Sequence, residues 1–224
     1  MNERRRAATH VIVDDLTAPV LAEDDRHHVV RVLRLRDGEN VSVTDGRGAW
    51  RVCAWSDGAL RPVSDVVREP SRAPLGVAFA LCKSDKPETI VQKLTELGVD
   101  TVVPFVSMRS VVKWDADKAE RNLERWRKVA REAVMQSRQV FVPTIESVVG
   151  SVQELVRIHG AGLAVAEPGG GSMGDGVSMI AVGPEGGFTD DELALFGSSV
   201  GLPGGVLRAE TAAVVAGALL MTRR

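Results

Sequence analysis

Cysteine is scarce in this sequence, and so are residues spaced to hold a metal. Its 224 residues include two cysteines, Cys53 and Cys82, too few for the disulfide framework of a small secreted protein. Neither lies near a Cys or His at a metal-ligand spacing, and the pair His27-His28 fits no standard zinc pattern. We therefore expect reduced thiols, no metal site and a location in the reducing cytoplasm.

Long apolar runs are lacking as well. The longest candidate, residues 212–221, is far shorter than the ~20 apolar residues that a membrane-spanning helix needs. The basic start of the chain is not followed by the apolar segment of a signal peptide. These absences argue against secretion and against a membrane partner.

A positive net charge is also missing, since the chain carries −2 at neutral pH. A globally basic nucleic-acid-binding protein is therefore disfavoured. The charges are unevenly distributed, however: residues 83–138 carry 12 basic and 9 acidic side chains, whereas residues 139–224 carry 4 and 9. Because phosphate contacts need only a local basic patch, we expect anionic partners to meet the first two thirds of the chain.

The hydrophobic and charged fractions, 44% and 26%, indicate a folded globular protein, and its pattern changes near residue 70. Residues 1–70 are β-rich, with strand-like runs at 29–30, 40–44, 48–54 and 59–67. Three Asp-Gly pairs, which are typical of hairpin turns, separate these runs: Asp37-Gly38, Asp45-Gly46 and Asp57-Gly58. The sequence predicts a small β-barrel over 1–70 and a proline-containing linker after it.

From residue 75 onwards, strands alternate with helices. Apolar runs at 75–81, 101–106, 162–166 and 179–182 alternate with helical patterns that include a long amphipathic helix over 117–138. A capping box at Thr189 and an apolar segment from about Glu210 predict the last two helices. Such alternation is typical of a mostly parallel α/β domain, here over 75–224. We expect the glycine-rich stretch 169–176 to be a loop.

The strongest functional pattern is the segment Gly183-Pro184-Glu185-Gly186-Gly187-Phe188. It directly follows an apolar strand, and ligands of α/β proteins bind at the carboxyl ends of strands. Its glycines allow the backbone to approach a ligand and leave N–H groups free. The segment is neither a Walker A loop nor a Gly-x-Gly-x-x-Gly motif, and a plain tight turn is the alternative interpretation.

A second pattern, Leu202-Pro203-Gly204-Gly205-Val206-Leu207-Arg208-Ala209-Glu210-Thr211-Ala212, opens the last predicted helix. Glu210 and Thr211 suit a helix N-terminus on capping and dipole grounds alone. Taken by itself, the segment is equally consistent with a structural cap and with ligand binding.

Together these two patterns resemble the SPOUT class of S-adenosylmethionine-dependent RNA methyltransferases. More narrowly, they resemble the family that methylates N3 of a uridine in bacterial 16S rRNA. The resemblance extends over nearly the whole chain through shorter motifs: His28-x-x-Arg31-Val32-Leu33-Arg34, Asp45-Gly46-x-Gly48, Lys83-x-Asp85-Lys86, Arg109-Ser110 and Glu132-Ala133-x-x-Gln136-Ser137. Gln139, where the family has an arginine, and Pro203, where it has a glycine, depart from the family pattern.

The resemblance implies an N-terminal PUA-like β-barrel over 1–70 and a C-terminal SPOUT α/β domain with a trefoil knot over 75–224. It also implies a homodimer with the active site near its interface, and 16S rRNA of the small ribosomal subunit as partner. The implied cofactor is S-adenosylmethionine, bound by Ala166, Glu167, Gly183, Pro184, Glu185, Gly186, Gly187, Leu202, Leu207, Arg208, Glu210, Thr211 and Ala212.

Methylation at N3 requires removal of a proton or stabilisation of the resulting anion. Glu185 and Glu210 are the candidate bases, and Arg109 and Arg138 are candidate groups that meet the RNA and stabilise the anion. We expect Arg208 to be structural or cofactor-side. The resemblance and the alternation of three arginines on a presumed strand predict RNA contacts by His28, Arg31, Arg34, Arg36, Lys83, Lys86 and Arg109.

Two other functions stay open at the level of the sequence. One is a non-catalytic RNA-binding protein of the same fold, and the other is a SPOUT enzyme acting on tRNA or on a ribose hydroxyl. The intact glycine and Arg208–Thr211 segments favour an enzyme, and the match over the barrel favours rRNA.

Overall fold

A computed structural model of the chain describes residues 3–112 and 114–224. The chain forms two compact units. The first comprises the residues up to Arg72 together with Arg131–Val142, and the second comprises Ala73–Ala130 and Pro143–Arg224. Residues 131–142 therefore pack with the first unit although the sequence places them within 75–224. Contacts between distant parts of the chain leave no local pattern that could have shown this.

The first unit is built on a five-stranded sheet. Strand β1 pairs parallel with β2, while the β2–β3 and β3–β4 pairs are antiparallel and β5 pairs with β3. The strands are β1 (Thr9–Ile12), β2 (Asn40–Thr44), β3 (Ala49–Ser56), β4 (Ala59–Pro62) and β5 (Val67–Arg68). Asp57-Gly58 forms the predicted hairpin turn between β3 and β4, with Asp57 and Gly58 both at positive φ.

The strand predicted at 29–30 is wrong. A short helix α1 (Glu3–Arg6) begins the chain, and α2 (Glu23–His27) continues into a π-helical turn over His28–Val32. The β-branched valines resembled a strand, but the turn packs only Val29 into the core, where it is 1% exposed. The expected strand with three arginines on one face is therefore absent from this stretch of the described chain.

The arginines of this segment lie instead on an irregular, exposed stretch. Arg31 is in the π-helical turn, Arg34 has a φ of 52°, and Arg36 follows it in a turn before β2. Asp37-Gly38, predicted as a hairpin, also precedes β2, and its Gly38 N–H donates to the carbonyl of Trp55 at 2.8 Å. Here a turn signal marks a loop that joins helix to strand.

The second unit contains a six-stranded sheet in the order β11-β9-β10-β6-β7-β8, all parallel, as the alternating pattern predicts. Its strands are β6 (Gly76–Ala80), β7 (Thr101–Phe105), β8 (Thr144–Ile145), β9 (Leu163–Gly171), β10 (Met179–Val182) and β11 (Ser199–Val200). The helices are α3 (Lys86–Leu97), α4 (Ala116–Ser137), α5 (Val152–His159), α6 (Asp190–Leu193) and α7 (Ala209–Met221).

Local sequence accounts for the ends of helix α3. Pro87 lies in its first turn, where a missing N–H costs nothing, and Gly98 ends it in the left-handed conformation at φ 86°. Its buried face, which includes Ile90, Val91 and Leu94, packs against the closing helix α7. Gly217 permits close packing there, since a Cβ at this position would lie 2.5 Å from Leu94 Cδ2.

The glycine-rich stretch 169–176 is not simply a loop, because β9 extends through Gly171. Its backbone approaches that of β11 so closely that a Cβ on Gly170 would lie 2.6 Å from the carbonyl carbon of Val200. Glycine is needed here because the two strands approach closely. From the sequence alone, this requirement looks the same as a glycine-rich flexible loop.

Candidate active site

A groove opens in the second unit beyond the end of β10 and beside β9. Its cavity volume is about 170 Å³, and the rest of the groove is open to solvent. It is lined by Ala166, Glu167, Pro168, Val182, Gly183, Pro184, Glu185, Gly187, Phe188, Leu202, Gly205, Val206, Leu207, Ala209 and Ala212. Ligands of open α/β sheets bind at such strand ends, so this groove is the candidate active site.

The loop 183–188 requires glycine at positions 183 and 187. A Cβ on Gly183 would lie 2.8 Å from the ring of Phe188, and Gly187 has a φ of 68°. Phe188 is itself buried and stacks on Phe105 at a centroid distance of 6.1 Å. The loop is therefore folded tightly over its own phenylalanine, and its glycines have a steric reason.

A capping box fixes the exit from this loop, as predicted. The Thr189 hydroxyl accepts from the N–H of Glu192 at 3.2 Å, and the Glu192 carboxylate accepts from the N–H of Thr189 at 3.0 Å. These two bonds satisfy N–H groups that a helix start otherwise leaves unpaired.

Arg109 braces the same loop from the segment that follows β7. One of its guanidinium nitrogens, Nη1, donates to the carbonyl oxygens of Gly186 and Phe188, each at 3.0 Å. Arg109 and the glycine loop were both predicted to belong to the site, and these bonds place them side by side. They engage the guanidinium with the backbone of the loop.

Lys86, in the first turn of α3, contacts both candidate bases. Its Nζ lies 2.6 Å from Glu185 Oε1 and 3.3 Å from Glu210 Oε2. The hydrogen bond from Lys86 lowers the pKa of Glu185 below its ordinary value, and the bond to Glu185 raises the pKa of Lys86. Both shifts favour the charged forms of Lys86 and Glu185, and Lys86 lies between two carboxylates from different elements.

Two further titratable groups lie near the groove. Burial raises the pKa of Glu167, a half-buried carboxyl on β9 in the groove wall. Burial first, and then the charge of Glu185, raises the pKa of the Cys82 thiol to about 12. Cys82 is therefore a protonated, unreactive core residue at neutral pH, as is expected for a cysteine at the end of a buried strand.

Of the residues predicted to bind cofactor, nine line the groove and four do not. Gly186, Arg208, Glu210 and Thr211 are outside the lining, although Glu210 reaches Lys86. Six further lining residues were not predicted individually: Pro168, Gly205, Val206 and Ala209, which lie within the predicted cofactor segments 166–168 and 202–212, and Val182 and Phe188, which flank the glycine loop. Their only local signal was their position inside or beside the motifs, because a lining residue needs no distinctive chemistry.

The remaining predicted residues are divided between the two units. Lys83, like Lys86 and Arg109, belongs to the second unit, whereas Arg138 and the exposed His28, Arg31, Arg34 and Arg36 belong to the first. The Arg138 guanidinium donates to the carbonyl oxygens of Arg4 and Ala7, at 2.6 Å and 2.8 Å. These bonds indicate a structural role for Arg138 within its own unit.

Within residues 3–112 and 114–224, no helix is both long and apolar enough to cross a membrane. In the same part of the chain, no group of three or more His, Cys, Asp and Glu side chains is placed to hold a metal ion.

Comparison with known proteins identifies the class of protein to which this chain belongs. The RNA methyltransferase domain family matches residues 69–221, and the RNA methyltransferase PUA domain family matches residues 21–54. The protein is thus an RNA methyltransferase with a PUA-like N-terminal part, as the resemblance implied.

The relatives narrow this class. Ribosomal RNA small subunit methyltransferase E from Mycobacterium tuberculosis is 34% identical, with 88% of this chain and 83% of the relative covered. The enzyme of the same name from Bacillus subtilis is 33% identical, with 86% and 85% covered. The chain belongs to the ribosomal RNA small subunit methyltransferase E family.

A solved structure confirms the fold. The Neisseria gonorrhoeae ribosomal RNA small subunit methyltransferase E, bound to S-adenosyl methionine, superposes with a TM-score of 0.80. It is 24% identical, and the match covers 96% of this chain and 97% of that one. The predicted combination of a PUA-like part with a SPOUT-type α/β fold is therefore confirmed.

Proposed function

We propose that this protein transfers a methyl group from S-adenosylmethionine to N3 of a uridine in 16S rRNA of the small ribosomal subunit. The observation that carries the proposal is the single groove formed by the glycine loop, β9 and the start of α7, in a chain of this family. The family relatives are named for small-subunit rRNA, and the sequence motifs resemble those of the uridine-N3 enzymes.

The groove suits a ligand with an apolar body and polar edges. The loop 183–187 offers backbone groups at close approach, and Leu202, Leu207 and Ala212 provide apolar walls. The Glu167 carboxylate faces the same groove and suits a cationic centre. These features fit S-adenosylmethionine, which supplies a methyl group activated by its sulfonium charge.

The task of the protein is then to orient the uridine and to accept its N3 proton. Glu185 and Glu210 are the carboxylates proposed for this step. Glu185 makes the shorter bond to Lys86, and the lowered pKa of Glu185 weakens it as a proton acceptor. Glu210, whose contact with Lys86 is longer, is the favoured base.

We predict that Glu210→Gln lowers kcat by on the order of 10²-fold, a typical contribution of a general base, and by more than Glu185→Gln does. The measurement is single-turnover methyl transfer across a pH series, with cofactor affinity measured in parallel. Full rates in both variants at every pH would exclude a carboxylate base.

The exposed cations are proposed to meet the RNA. His28, Arg31, Arg34 and Arg36 are free to contact phosphates through the first unit, and Lys83 through the second. Arg109 is proposed to act mainly through the loop that it braces, since its Nη1 is engaged there by two carbonyl oxygens. Arg138 is the less favoured of the two predicted arginines, because both of its terminal nitrogens, Nη1 and Nη2, donate to backbone carbonyls of its own unit.

A homodimer in the cytoplasm is part of the proposal. Large apolar side chains are exposed in the second unit, namely Met108, Val111 and, beside the groove, Val206 at 94% exposure. Exposed apolar groups near a site are typical of a contact surface. Sedimentation equilibrium tests the dimer, and the cytoplasmic location follows from the rRNA substrate.

The experiment that tests the function is methyl transfer. The protein is incubated with labelled S-adenosylmethionine and small subunits from a strain that lacks the activity, and the digested RNA is analysed by mass. We expect 3-methyluridine at one site. A 2′-O-methylated nucleoside, or label in tRNA alone, would favour another SPOUT activity, whereas cofactor binding without any transfer would oppose catalysis.

A further inference from the structure

Three charged side chains from three separate elements meet at one edge of the groove. Lys86 is in the first turn of α3, Glu185 is in the glycine loop, and Glu210 is in the first turn of α7. The ammonium nitrogen lies 2.6 Å from one carboxylate and 3.3 Å from the other. Lys86 is one of the residues predicted from the sequence to contact RNA, and these distances give its charge a different role.

We propose that Lys86 is a positioning residue that clamps the glycine loop to the start of α7 and so holds the groove in shape before the cofactor binds. The clamp belongs to the unliganded protein, and only the identity of the cofactor rests on the proposed function. The chemical basis is one ammonium group neutralising two carboxylates that otherwise face each other.

The three side chains comprise one positive and two negative groups, so the carboxylates outnumber the ammonium group. With Lys86 present, the site carries one net negative charge, whereas without it two carboxylates would remain close together. The Lys86, Glu185 and Glu210 side chains are 29%, 42% and 21% exposed, so water screens part of this repulsion. Loss of Lys86 is therefore expected to push the loop and α7 apart.

Arg109 also holds the loop, but it does so through the uncharged backbone carbonyls of the loop. Arg109 binds the carbonyl oxygens of Gly186 and Phe188, whereas Lys86 binds the side chain of Glu185. Arg109 therefore fixes the backbone of the loop, and Lys86 alone of the two connects the loop to α7. Removal of Lys86 should loosen the groove without unfolding the loop.

The first test compares Lys86→Met with the matched control Lys93→Met. Lys93 lies on the same helix and pairs with Glu96, three residues further along that helix. We expect Lys86→Met to weaken S-adenosylmethionine binding about tenfold or more in calorimetry without RNA, because partly buried carboxylates lose their counter-ion. Lys93→Met should leave the affinity unchanged.

A second readout needs no ligand. Hydrogen exchange of the amides in 183–188 should be faster in unliganded Lys86→Met than in the wild type or in Lys93→Met. Melting curves establish that each variant is folded. Unchanged exchange in a folded Lys86→Met protein would overturn the proposal even if the wild type failed to bind S-adenosylmethionine, a failure that would count against the proposed function instead.

The charge argument makes a specific non-additive prediction. Lys86→Met/Glu185→Gln should bind S-adenosylmethionine more tightly than Lys86→Met, because one of the two repelling charges is gone. Lys86→Arg should retain most of the affinity. If Lys86→Met kept its cofactor affinity but bound RNA more weakly, with a smaller salt dependence, Lys86 would be an RNA contact and the clamp would be refuted.

Discussion

Among single residues, His10 is a strongly perturbed titratable group that lies outside the groove. It is 2% exposed in the first unit. Its Nε2 donates to the carbonyl of Gln139 at 2.8 Å, so the neutral ring accepts from the Ser42 hydroxyl through Nδ1 at 2.7 Å. Burial, reinforced by the charges of Arg4 and Arg138, lowers its pKa from 6.5 to about 4. His10 is therefore a neutral part of the core that links residues far apart in sequence.

This burial predicts acid sensitivity. Between pH 6.5 and about pH 4 the unfolded chain binds a proton at His10 that the folded chain does not bind. Stability is therefore full above pH 6.5 and falls as the pH decreases, by up to about 3 kcal/mol from this group. Urea unfolding over this pH range should show a shallower loss for His10→Gln, and the exposed His27→Gln should behave as the wild type.

The structural role of some single residues can be predicted from the neighbouring sequence, whereas that of others cannot. Cys82 and Trp126 were expected in the core from their positions in apolar patterns, and both are buried at 1% exposure. Lys86 could not be understood in this way, because its two partners are about 100 residues away along the chain. The sequence shows that a charge is present, but its use depends on which carboxylates the fold places beside it.

Among the elements, β9 and β11 show how backbone proximity selects residues. Gly170 lies where the two strands approach most closely, and Gly201 meets the same constraint from the other side, with a Cβ position 2.5 Å from the Gly170 carbonyl oxygen. Both contacts involve backbone atoms, which cannot move aside as a side chain can. The middle of β9, residues 166–168, lines the groove, so this packing also supports the candidate site.

We predict that Gly170→Ala lowers the free energy of unfolding by about 1–3 kcal/mol, as overpacking does, and also weakens cofactor binding. Gly171→Ala is the matched control, since its Cβ would lie 4.0 Å from the nearest atom, and we expect a change within about 0.5 kcal/mol. Equal effects in chemical denaturation would contradict the close-packing explanation.

Regular elements were predicted well where a periodic pattern was long. The parallel strands of the second unit, α3 with its terminal Gly98, and the capping box at Thr189 were all expected from local patterns. The prediction was wrong at 29–30, where two valines were too few to separate a strand from a helical turn. Burial of Val29 decided that conformation, and burial is a property of the tertiary structure.

At the scale of the whole molecule, the two units have different candidate tasks. The first displays exposed cations on an irregular segment, and the second contains the groove. Helix α4 contributes to both, because the chain up to Ala130 belongs to the second unit and Arg131–Val142 to the first. A domain boundary predicted near residue 70 could not anticipate this, because the sequence does not show that residues 131–142 pack against the first unit.

Ligand binding should stabilise the molecule by mass action. We predict that S-adenosylhomocysteine at 100 times its Kd raises the free energy of unfolding by about 2.7 kcal/mol. Fluorescence of the second unit, where Trp114 and the buried Trp126 lie 5.5 Å apart between ring centroids, reports the transition. Lys86→Met at the same concentration should show a smaller shift, and no shift in the wild type would argue against a cofactor groove.

The class of fold, the glycine loop and the family could be predicted from the sequence, because these depend on local periodicity and on short motifs. Tertiary structure decided which charges meet, which glycines are sterically required and which arginines are engaged with backbone carbonyls. The physical reason is that hydrogen bonds and ion pairs act only over a few ångströms. Lys86, Glu185 and Glu210 become a single charged site only when three distant segments are folded together.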